Sequence, residues 1–193
     1  MDEKTFAMGY DVDTYVRTIR NYRSFVRDRV NEADADELHA AMLRERATSN
    51  AQPVRATIMT EDWCGDSALN LPVLANLFSR AGIEFRVFRG SEHEQLKTRY
   101  EADGTDHIPV VSLWDGNGEE IGRWVEAPAA MEQKKEAWKA ERPRFMELYA
   151  KQGEDKDAAK EFAALYREFM EQMAEWYRDG MWRETTREVA ELL

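Results

Sequence analysis

Cys64 is the residue best suited to covalent chemistry, because it is the single cysteine of this 193-residue chain. It follows the string Thr60-Glu61-Asp62-Trp63 and precedes Gly65-Asp66-Ser67. The pattern predicts a buried strand before this string and a helix after it, so the cysteine should lie at a helix amino terminus. Unpaired backbone N–H groups and the helix dipole favour a thiolate at such a position. The sequence therefore predicts a nucleophilic sulfur.

Two opposing effects set the acidity expected for this thiol. A helix terminus contributes roughly 0.3 to 2 kcal/mol, which lowers a thiol pKa near 8.5 by about one unit. The carboxylates of Glu61, Asp62 and Asp66 act in the opposite direction, to a degree that depends on where they point. We expect a moderately acidic thiol. Because a lone cysteine cannot form an internal disulfide, any disulfide must join the chain to another molecule.

Two further side chains could assist the sulfur. Ser67 could donate a hydrogen bond to the thiolate, although serine is also an ordinary residue of a first helical turn. His107 could approach the sulfur as a cation or general acid, or it could be a solvated loop histidine. Asp62 and Asp66 could bind a cation, but no further ligands are spaced to complete a site. We therefore predict no metal and no other cofactor.

Short β-branched runs alternate with helical segments in the middle of the chain. The predicted order is a strand at 54–59, a helix at 70–81 ended by Gly82, a strand at 83–89, a helix at 94–102 and strands at 110–114 and 120–124. The last two strands flank Asp115-Gly116-Asn117-Gly118, a strong hairpin signal. A strand-helix-strand unit followed by a hairpin predicts an α/β sandwich with mixed strand directions. The proline of Ile108-Pro109, at the entrance of the third strand, suggests a cis bond.

Helical periodicity precedes this region. Residues 12–30 carry apolar side chains at three- and four-residue spacing and predict one amphipathic helix. A second helix should follow, capped by Asp34 or Asp36. Its predicted buried face consists of Leu38, Met42 and Leu43.

The pattern is again helical from residue 127 onward, with breaks expected near Pro143, Gly153 and Gly180. One stripe at helical spacing contains Phe162, Leu165, Phe169, Met173 and Trp176. We expect this stripe to pack on the core, and the alternative is a partner or dimer surface. The chain is accordingly divided into an N-terminal helical extension (1–50), a core (51–150) and a C-terminal helical extension packed on the core (151–193).

Three separately spaced features resemble the thioredoxin superfamily. They are Trp63-Cys64 after the first strand, Pro72 inside the following helix and Ile108-Pro109 before the third strand. The string from Thr60 to Asp66, together with Leu71-Pro72-Val73-Leu74 and Gly122-Arg123-Trp124, is similar to a group of bacterial thioredoxin-like proteins. The resemblance covers about residues 54–126. It implies a thioredoxin-like three-layer α/β/α sandwich with a mixed four-stranded sheet, to which N-terminal and C-terminal helical extensions are added.

The resemblance also implies roles for individual residues. Cys64 would be the attacking thiol and Trp63 its shielding neighbour. Pro109 would be a cis-proline whose flanking backbone, including Ile108, receives an extended substrate. Ser67 stands where dithiol members have a resolving cysteine, so a mixed disulfide at Cys64 cannot be released within the chain. Ile58 stands where thioredoxins carry a buried acid.

The bulk composition argues against several protein classes. Hydrophobic residues make up 43% and charged residues 34% of the chain, which is atypical of disordered and membrane proteins. The net charge of −11 would repel nucleic acids and anionic membranes, so we expect neither as a partner. A polar, acidic amino terminus is unlike a secretory signal, and a single cysteine suits a reducing compartment. We expect a cytoplasmic protein.

We expect a monothiol thioredoxin-like protein in thiol–disulfide redox chemistry. Cys64 would form mixed disulfides with a protein or low-molecular-weight thiol, and an external thiol would resolve them. One alternative is a non-catalytic binding module that uses the cis-proline groove, and another is a sensor in which oxidation of Cys64 alters the helical surface. A homodimer through the helical extensions is a further expectation. A buried Cys64, or a trans Pro109, would count against the redox interpretation.

Overall fold

The structure is a computed structural model that describes residues 1–32, 36–50 and 53–193. Its contacts divide the chain into two compact units. The first contains Met1–Ala127 and Trp182–Leu193, and the second contains Pro128–Met181. These units do not follow the three segments expected from the sequence, and that division stays a prediction.

The strands lie in the middle of the described chain, with consecutive helices before the first strand and after the last. The helices are α1 (Glu3–Phe6), α2 (Val12–Thr18), α3 (Arg23–Glu32), α4 (Glu37–Ser49), α5 (Gly65–Ala81), α6 (Glu94–Ala102), α7 (Ala129–Ala140), α8 (Pro143–Lys151), α9 (Lys156–Trp176) and α10 (Trp182–Ala190). The strands are β1 (Arg55–Thr60), β2 (Glu84–Arg89), β3 (Val110–Trp114) and β4 (Glu120–Val125). Each strand predicted from the sequence is therefore present, within one residue of its predicted ends.

The four strands form one mixed sheet in the order β2-β1-β3-β4. Strand β1 pairs parallel to β2 and antiparallel to β3, with Ile58 opposite both Val87 and Val111. Strand β4 pairs antiparallel to β3 across the predicted hairpin. The α/β fold class with a mixed four-stranded sheet and added helices is thus confirmed.

Apolar side chains cover both faces of the sheet. On one face, Ala56 and Ile58 of β1 join a large core with Leu71, Leu74 and other residues of α5. Helices α3, α4 and α10 pack around α5 on this side. On the other face, a smaller core joins Met59 to residues of α6 and to Phe88 and Val110. Alternation of side chains along β1 therefore supplies both cores, as a strand between two helical layers requires.

Local sequence signals explain several element ends. Gly82 ends α5 with φ 73°, a left-handed conformation that glycine adopts without a Cβ penalty. Asp36 caps α4 by accepting a hydrogen bond from the backbone N–H of Leu38, so one of the two predicted caps is correct. The other, Asp34, lies outside the described residues.

Three predictions about the helices are wrong. The single helix expected over 12–30 is two helices, because Ile19 is extended and Tyr22 has a φ of 56°. Neither residue is a glycine or proline, so periodicity alone gave no sign of the break. Leu38 is 66% exposed rather than buried. Helix α5 begins at Gly65, five residues before the start expected from its apolar spacing.

The second compact unit is held together by aromatic side chains of α7, α8 and α9. The ring of Trp138 lies 5.4 Å from that of Phe145 and 4.7 Å from that of Phe169, measured between centroids. Within the predicted stripe of α9, Phe169 and Met173 are buried, whereas the outer members are half-buried. None of the helices in the described part of the chain combines the length and apolar composition needed to cross a membrane.

Candidate functional site

Cys64 lies at the amino terminus of α5, where the loop after β1 turns into the helix. Its backbone N–H donates to the carbonyl oxygen of Glu61 at 3.1 Å, which closes a tight turn before the helix. Its Sγ accepts a hydrogen bond from the backbone N–H of Ser67 at 3.4 Å, so the cysteine side chain is the N-cap of α5. The sulfur thus takes the place that a serine or aspartate oxygen usually fills.

The loop before β3 covers the sulfur from the other side. The Ile108–Pro109 peptide bond is cis, as the proline at the strand entrance predicts. The Cys64 thiol donates to the carbonyl oxygen of Ile108 at 3.3 Å. The next carbonyl, that of Pro109, accepts a hydrogen bond from the backbone N–H of Glu126 at 2.8 Å. The sulfur is therefore fixed between one backbone donor and one backbone acceptor.

Burial dominates the acidity of this thiol. The residue is 8% exposed, and burial raises the pKa of Cys64 because a low-dielectric surrounding disfavours the thiolate. The hydroxyl and backbone N–H of Ser67 lower that pKa, while the carboxylate of Asp66 raises it. The net result is a raised pKa, so the moderately acidic thiol expected from the helix dipole is wrong. The burial of Cys64 therefore counts against the redox interpretation, whereas the cis bond before Pro109 does not.

Ser67 contacts the sulfur through its backbone N–H, which donates to Sγ of Cys64. Donation by its hydroxyl to a thiolate stays a prediction. The hydroxyl is close enough to influence the thiol, yet its oxygen has no partner of hydrogen-bond geometry among the described residues. Because the residue is 3% exposed, this is a buried polar atom with unused hydrogen-bonding capacity beside the sulfur.

The carboxylates that precede the cysteine are engaged with the end of β2. Glu61 accepts hydrogen bonds from the backbone N–H and the hydroxyl of Ser91, at 2.5 and 3.0 Å. Asp62 forms an ion pair with Arg89 at 2.7 Å, and the two side chains are only 13% and 8% exposed. A second Asp62 oxygen accepts from the backbone N–H of Arg20 at 3.1 Å. These contacts anchor the loop that carries Cys64.

Trp63 and His107 are both exposed, and both line one cleft. Trp63 is 64% exposed, and its role as a shield of the sulfur stays a prediction. The Nδ1 atom of His107 lies 2.6 Å from an oxygen of Asp106, and its Nε2 atom lies 3.9 Å from one of Glu126. The described contacts of His107 therefore join it to carboxylates and include none with Cys64.

This cleft has a volume of about 280 Å³ and is bordered by the neighbours of the sulfur. Its apolar lining includes Met59, Trp63 and Ile108. Residues of α6, the loop between α6 and β3, and the turn after β2 also line it. Ile108, which accepts the thiol hydrogen bond, and Trp63, which precedes Cys64 in the chain, link this cleft to the sulfur.

Sequence reasoning missed Asn70, which joins three parts of the first unit. Its side-chain N–H groups donate to the carbonyl oxygens of Asp66 at 3.0 Å and Glu126 at 3.2 Å. Its Oδ1 accepts from the hydroxyl of Thr185 in α10 at 2.9 Å. Both Asn70 and Thr185 are fully buried. The sequence did offer a signal for this role, because Asn70 is a polar residue on the otherwise apolar face of α5.

A family model described as Thioredoxin matches residues 12–139 of the chain. The chain therefore belongs to the thioredoxin family. Among solved structures, this thioredoxin-family chain is similar to a protein of unknown function from Pseudomonas aeruginosa, PA1234, with 17% identity and a TM-score of 0.57. The match covers 100% of this chain and 97% of that one. At this identity the likeness supports the fold alone.

A second solved structure, an HIV epitope scaffold, is 22% identical, with a TM-score of 0.35. That match covers 63% of this chain and 81% of the scaffold, and its low score carries no argument. No curated protein matches the chain significantly. Membership of the thioredoxin family is thus compatible with a redox function. A more specific function has to be inferred from the residues around Cys64.

Proposed function

We propose that the chain is a monothiol thioredoxin-family protein that exchanges disulfides through Cys64. The observation that carries this proposal is the position of the sulfur. It caps α5, accepts the Ser67 N–H and lies 3.3 Å from the carbonyl oxygen of Ile108, and its neighbours Trp63 and Ile108 line a cleft. A thiolate at this point would keep a backbone donor and gain from the helix amino terminus.

The proposed reaction is an exchange in two steps. The Cys64 thiolate attacks one sulfur of a bound disulfide, so that the substrate S–S bond breaks and a Cys64–substrate disulfide forms. The departing thiolate takes up the proton that the Cys64 thiol has lost. An external thiolate then attacks the substrate sulfur of the mixed disulfide, so that its bond to Cys64 breaks and a disulfide between the external thiol and the substrate forms. Cys64 leaves as a thiolate and takes up the proton that the external thiol has lost. Ser67 cannot perform this second step because it has no sulfur.

The residues around the sulfur divide the work in this proposal. Ser67 stabilises the thiolate through its backbone N–H, and its unused hydroxyl is available as a second donor. Trp63 provides an exposed apolar surface beside the cleft. The backbone at Ile108 and Pro109 receives the substrate, and His107 borders it. The raised pKa of Cys64 makes the resting protein slow toward small reagents, since each unit lowers the thiolate fraction at neutral pH about tenfold.

The test uses the neutral reagent 2-hydroxyethyl disulfide and mass spectrometry. We expect one adduct per folded chain, formed more slowly than with a urea-unfolded sample, and its removal by added cysteine. Cys64→Ser should form no adduct. The wild type should also accelerate exchange between this disulfide and cysteine above the rate measured with Cys64→Ser. A folded protein that stays unmodified while the unfolded chain reacts completely contradicts the proposal.

A second candidate function is supported by the burial of the sulfur. A protonated thiol that donates to Ile108 can serve as a purely structural part of a binding module. This candidate predicts that Cys64→Ser binds a cysteine-free peptide as tightly as the wild type does, and that neither protein accelerates exchange. Titration calorimetry with the wild type and the variant, combined with the exchange assay, separates the two functions.

A further inference from the structure

The charges around the cleft beside Cys64 indicate which substrates it would accept. Three carboxylates line it, those of Glu61, Glu101 and Asp106, against one ammonium group, that of Lys97. With His107 counted as neutral, these groups sum to two negative charges. Lys97 is already paired with Glu101 at 3.6 Å. An anionic disulfide would therefore meet repulsion and find no free cation among the lining residues.

The backbone of the same cleft offers a place for an extended chain. The N–H of Ile108 has no hydrogen-bond partner among the described residues, and Ile108 is only half-buried. Strand-like pairing with a free backbone N–H is a common way to hold an extended peptide. The exposed ring of Trp63 adds a face over which a cationic side chain can stack.

We propose that the substrate of Cys64 is a disulfide within an extended, basic protein segment. This inference rests on the proposed function, because it assumes that Cys64 exchanges disulfides. The segment would lie along the Ile108 backbone, with its cationic side chains near Glu101 and Asp106. In the exchange, the substrate S–S bond breaks, a bond from Cys64 to the segment's sulfur forms, and the other substrate sulfur leaves as a thiolate that is then protonated.

The experiment compares two peptides of equal length that differ only in charge. Each contains one cysteine in a mixed disulfide with thionitrobenzoate, and this cysteine is flanked by lysines in one peptide and by glutamates in the other. Release of the coloured thionitrobenzoate gives the rate of attack by Cys64. Each rate is divided by the rate at which the neutral thiol N-acetylcysteine amide attacks the same peptide. This ratio removes differences in the intrinsic reactivity of the two peptide disulfides.

The lysine peptide should react about tenfold faster than the glutamate peptide, the lower end of the range for charge-lined clefts. The ratio should fall toward one between ionic strengths of about 0.01 and 1 M, over which the Debye length shrinks from roughly 30 to 3 Å. A small cation, cysteamine in the same mixed disulfide, should react more slowly than the lysine peptide. An equal rate would overturn the assignment to a protein segment.

Matched variants separate the cleft from the overall negative charge of the chain. Glu101→Gln with Asp106→Asn should reduce the ratio several-fold. Glu45→Gln with Glu84→Gln changes the net charge equally, on α4 and at the start of β2, and should leave the ratio unchanged. An equal effect of both pairs, or equal rates with both peptides, overturns the inference while the proposed function stands. Failure of every probe to form an adduct with the folded protein refutes the proposed function itself.

Discussion

Replacement of Asp62 by alanine is the sharpest test of how the loop before Cys64 is held. The carboxylate of Asp62 accepts from Nε of Arg89 at 2.7 Å and from the backbone N–H of Arg20 at 3.1 Å. The Asp62→Ala change removes both acceptors. It leaves the Arg89 guanidinium, whose side chain is 8% exposed, without its principal counter-charge.

The expected cost follows from what Arg89 keeps. Removal of one partner of a buried ion pair costs about 3 to 5 kcal/mol. Arg89 retains a longer ion pair with the more exposed Glu92 at 3.6 Å and a hydrogen bond to the Thr18 hydroxyl at 3.0 Å. It also lies over the rings of Tyr10 and Tyr15, 4.9 Å from each centroid. Because these contacts still solvate the cation in part, we expect Asp62→Ala to lower the free energy of unfolding by about 2 to 4 kcal/mol.

Urea denaturation of four proteins measures this value. They are the wild type, Asp62→Ala, Arg89→Met and the double variant, which together form a double-mutant cycle. We expect the double variant to be more stable than the sum of the single losses implies, because it no longer buries a cation that has lost its closest carboxylate. Asp28→Ala, which breaks an exposed pair with Arg27, is the control and should change stability little. A loss below about 1 kcal/mol for Asp62→Ala, or no coupling in the cycle, would refute the reasoning.

Three further changes test the site and its supports. The unfolded chain should lose the Cys64 proton at a lower pH than the folded chain does. The wild type should therefore lose stability relative to Cys64→Ala as the pH rises above about 8.5. A difference in unfolding free energy between the two proteins that does not change with pH would contradict the raised pKa of Cys64. Asn70→Ala should cost about 2 to 4 kcal/mol in urea because it removes the acceptor of the buried Thr185 hydroxyl and a donor to the Glu126 carbonyl oxygen. The loss should shrink when Thr185 is also changed to valine. Gly9→Ala would place its Cβ 2.6 Å from atoms of Arg86 and Phe88 and should lower the melting temperature, whereas Gly153→Ala meets nothing within 4 Å and should not.

The middle of the chain could be predicted because its signals are local. Gly82 stops α5, and the turn at Asp115-Gly116-Asn117-Gly118 joins β3 to β4, each through the backbone freedom of glycine or asparagine. Segments with the apolar spacing of a strand alternate with segments that have the spacing of a helix, and this order predicts the strand-helix-strand unit. The same reasoning failed at Ile19 and Tyr22, where the chain turns without a glycine or proline. Ile19 is buried in the large core and Tyr22 packs against that core, contacts that no local sequence pattern records.

The chemistry at Cys64 could be located from the sequence, but its energetics could not. The position after β1 placed the sulfur at a helix amino terminus, as the structure has it. The pKa depends on contacts that are distant in the sequence. Burial by the rest of the fold and the hydrogen bond to Ile108 both favour the protonated thiol. Together with the Asp66 carboxylate, these outweigh the hydroxyl and backbone N–H of Ser67, which a local argument could anticipate.

Glu61 and Asp62 show why the acidity of Cys64 could not be predicted by counting the charges near it in the sequence. Glu61 and Asp62 stand beside the cysteine in sequence, and proximity alone assigns them an effect on the thiol. In the structure Glu61 accepts a hydrogen bond from Ser91, and Asp62 forms an ion pair with Arg89. Arg89 is the last residue of β2, and Ser91 lies just beyond it. Their carboxylates therefore act on the position of the loop and not mainly on the charge of the sulfur. If this is so, Glu61→Gln, which keeps hydrogen-bond acceptance, should leave the rate of Cys64 modification nearly unchanged, whereas Glu61→Ala should alter it by freeing the loop.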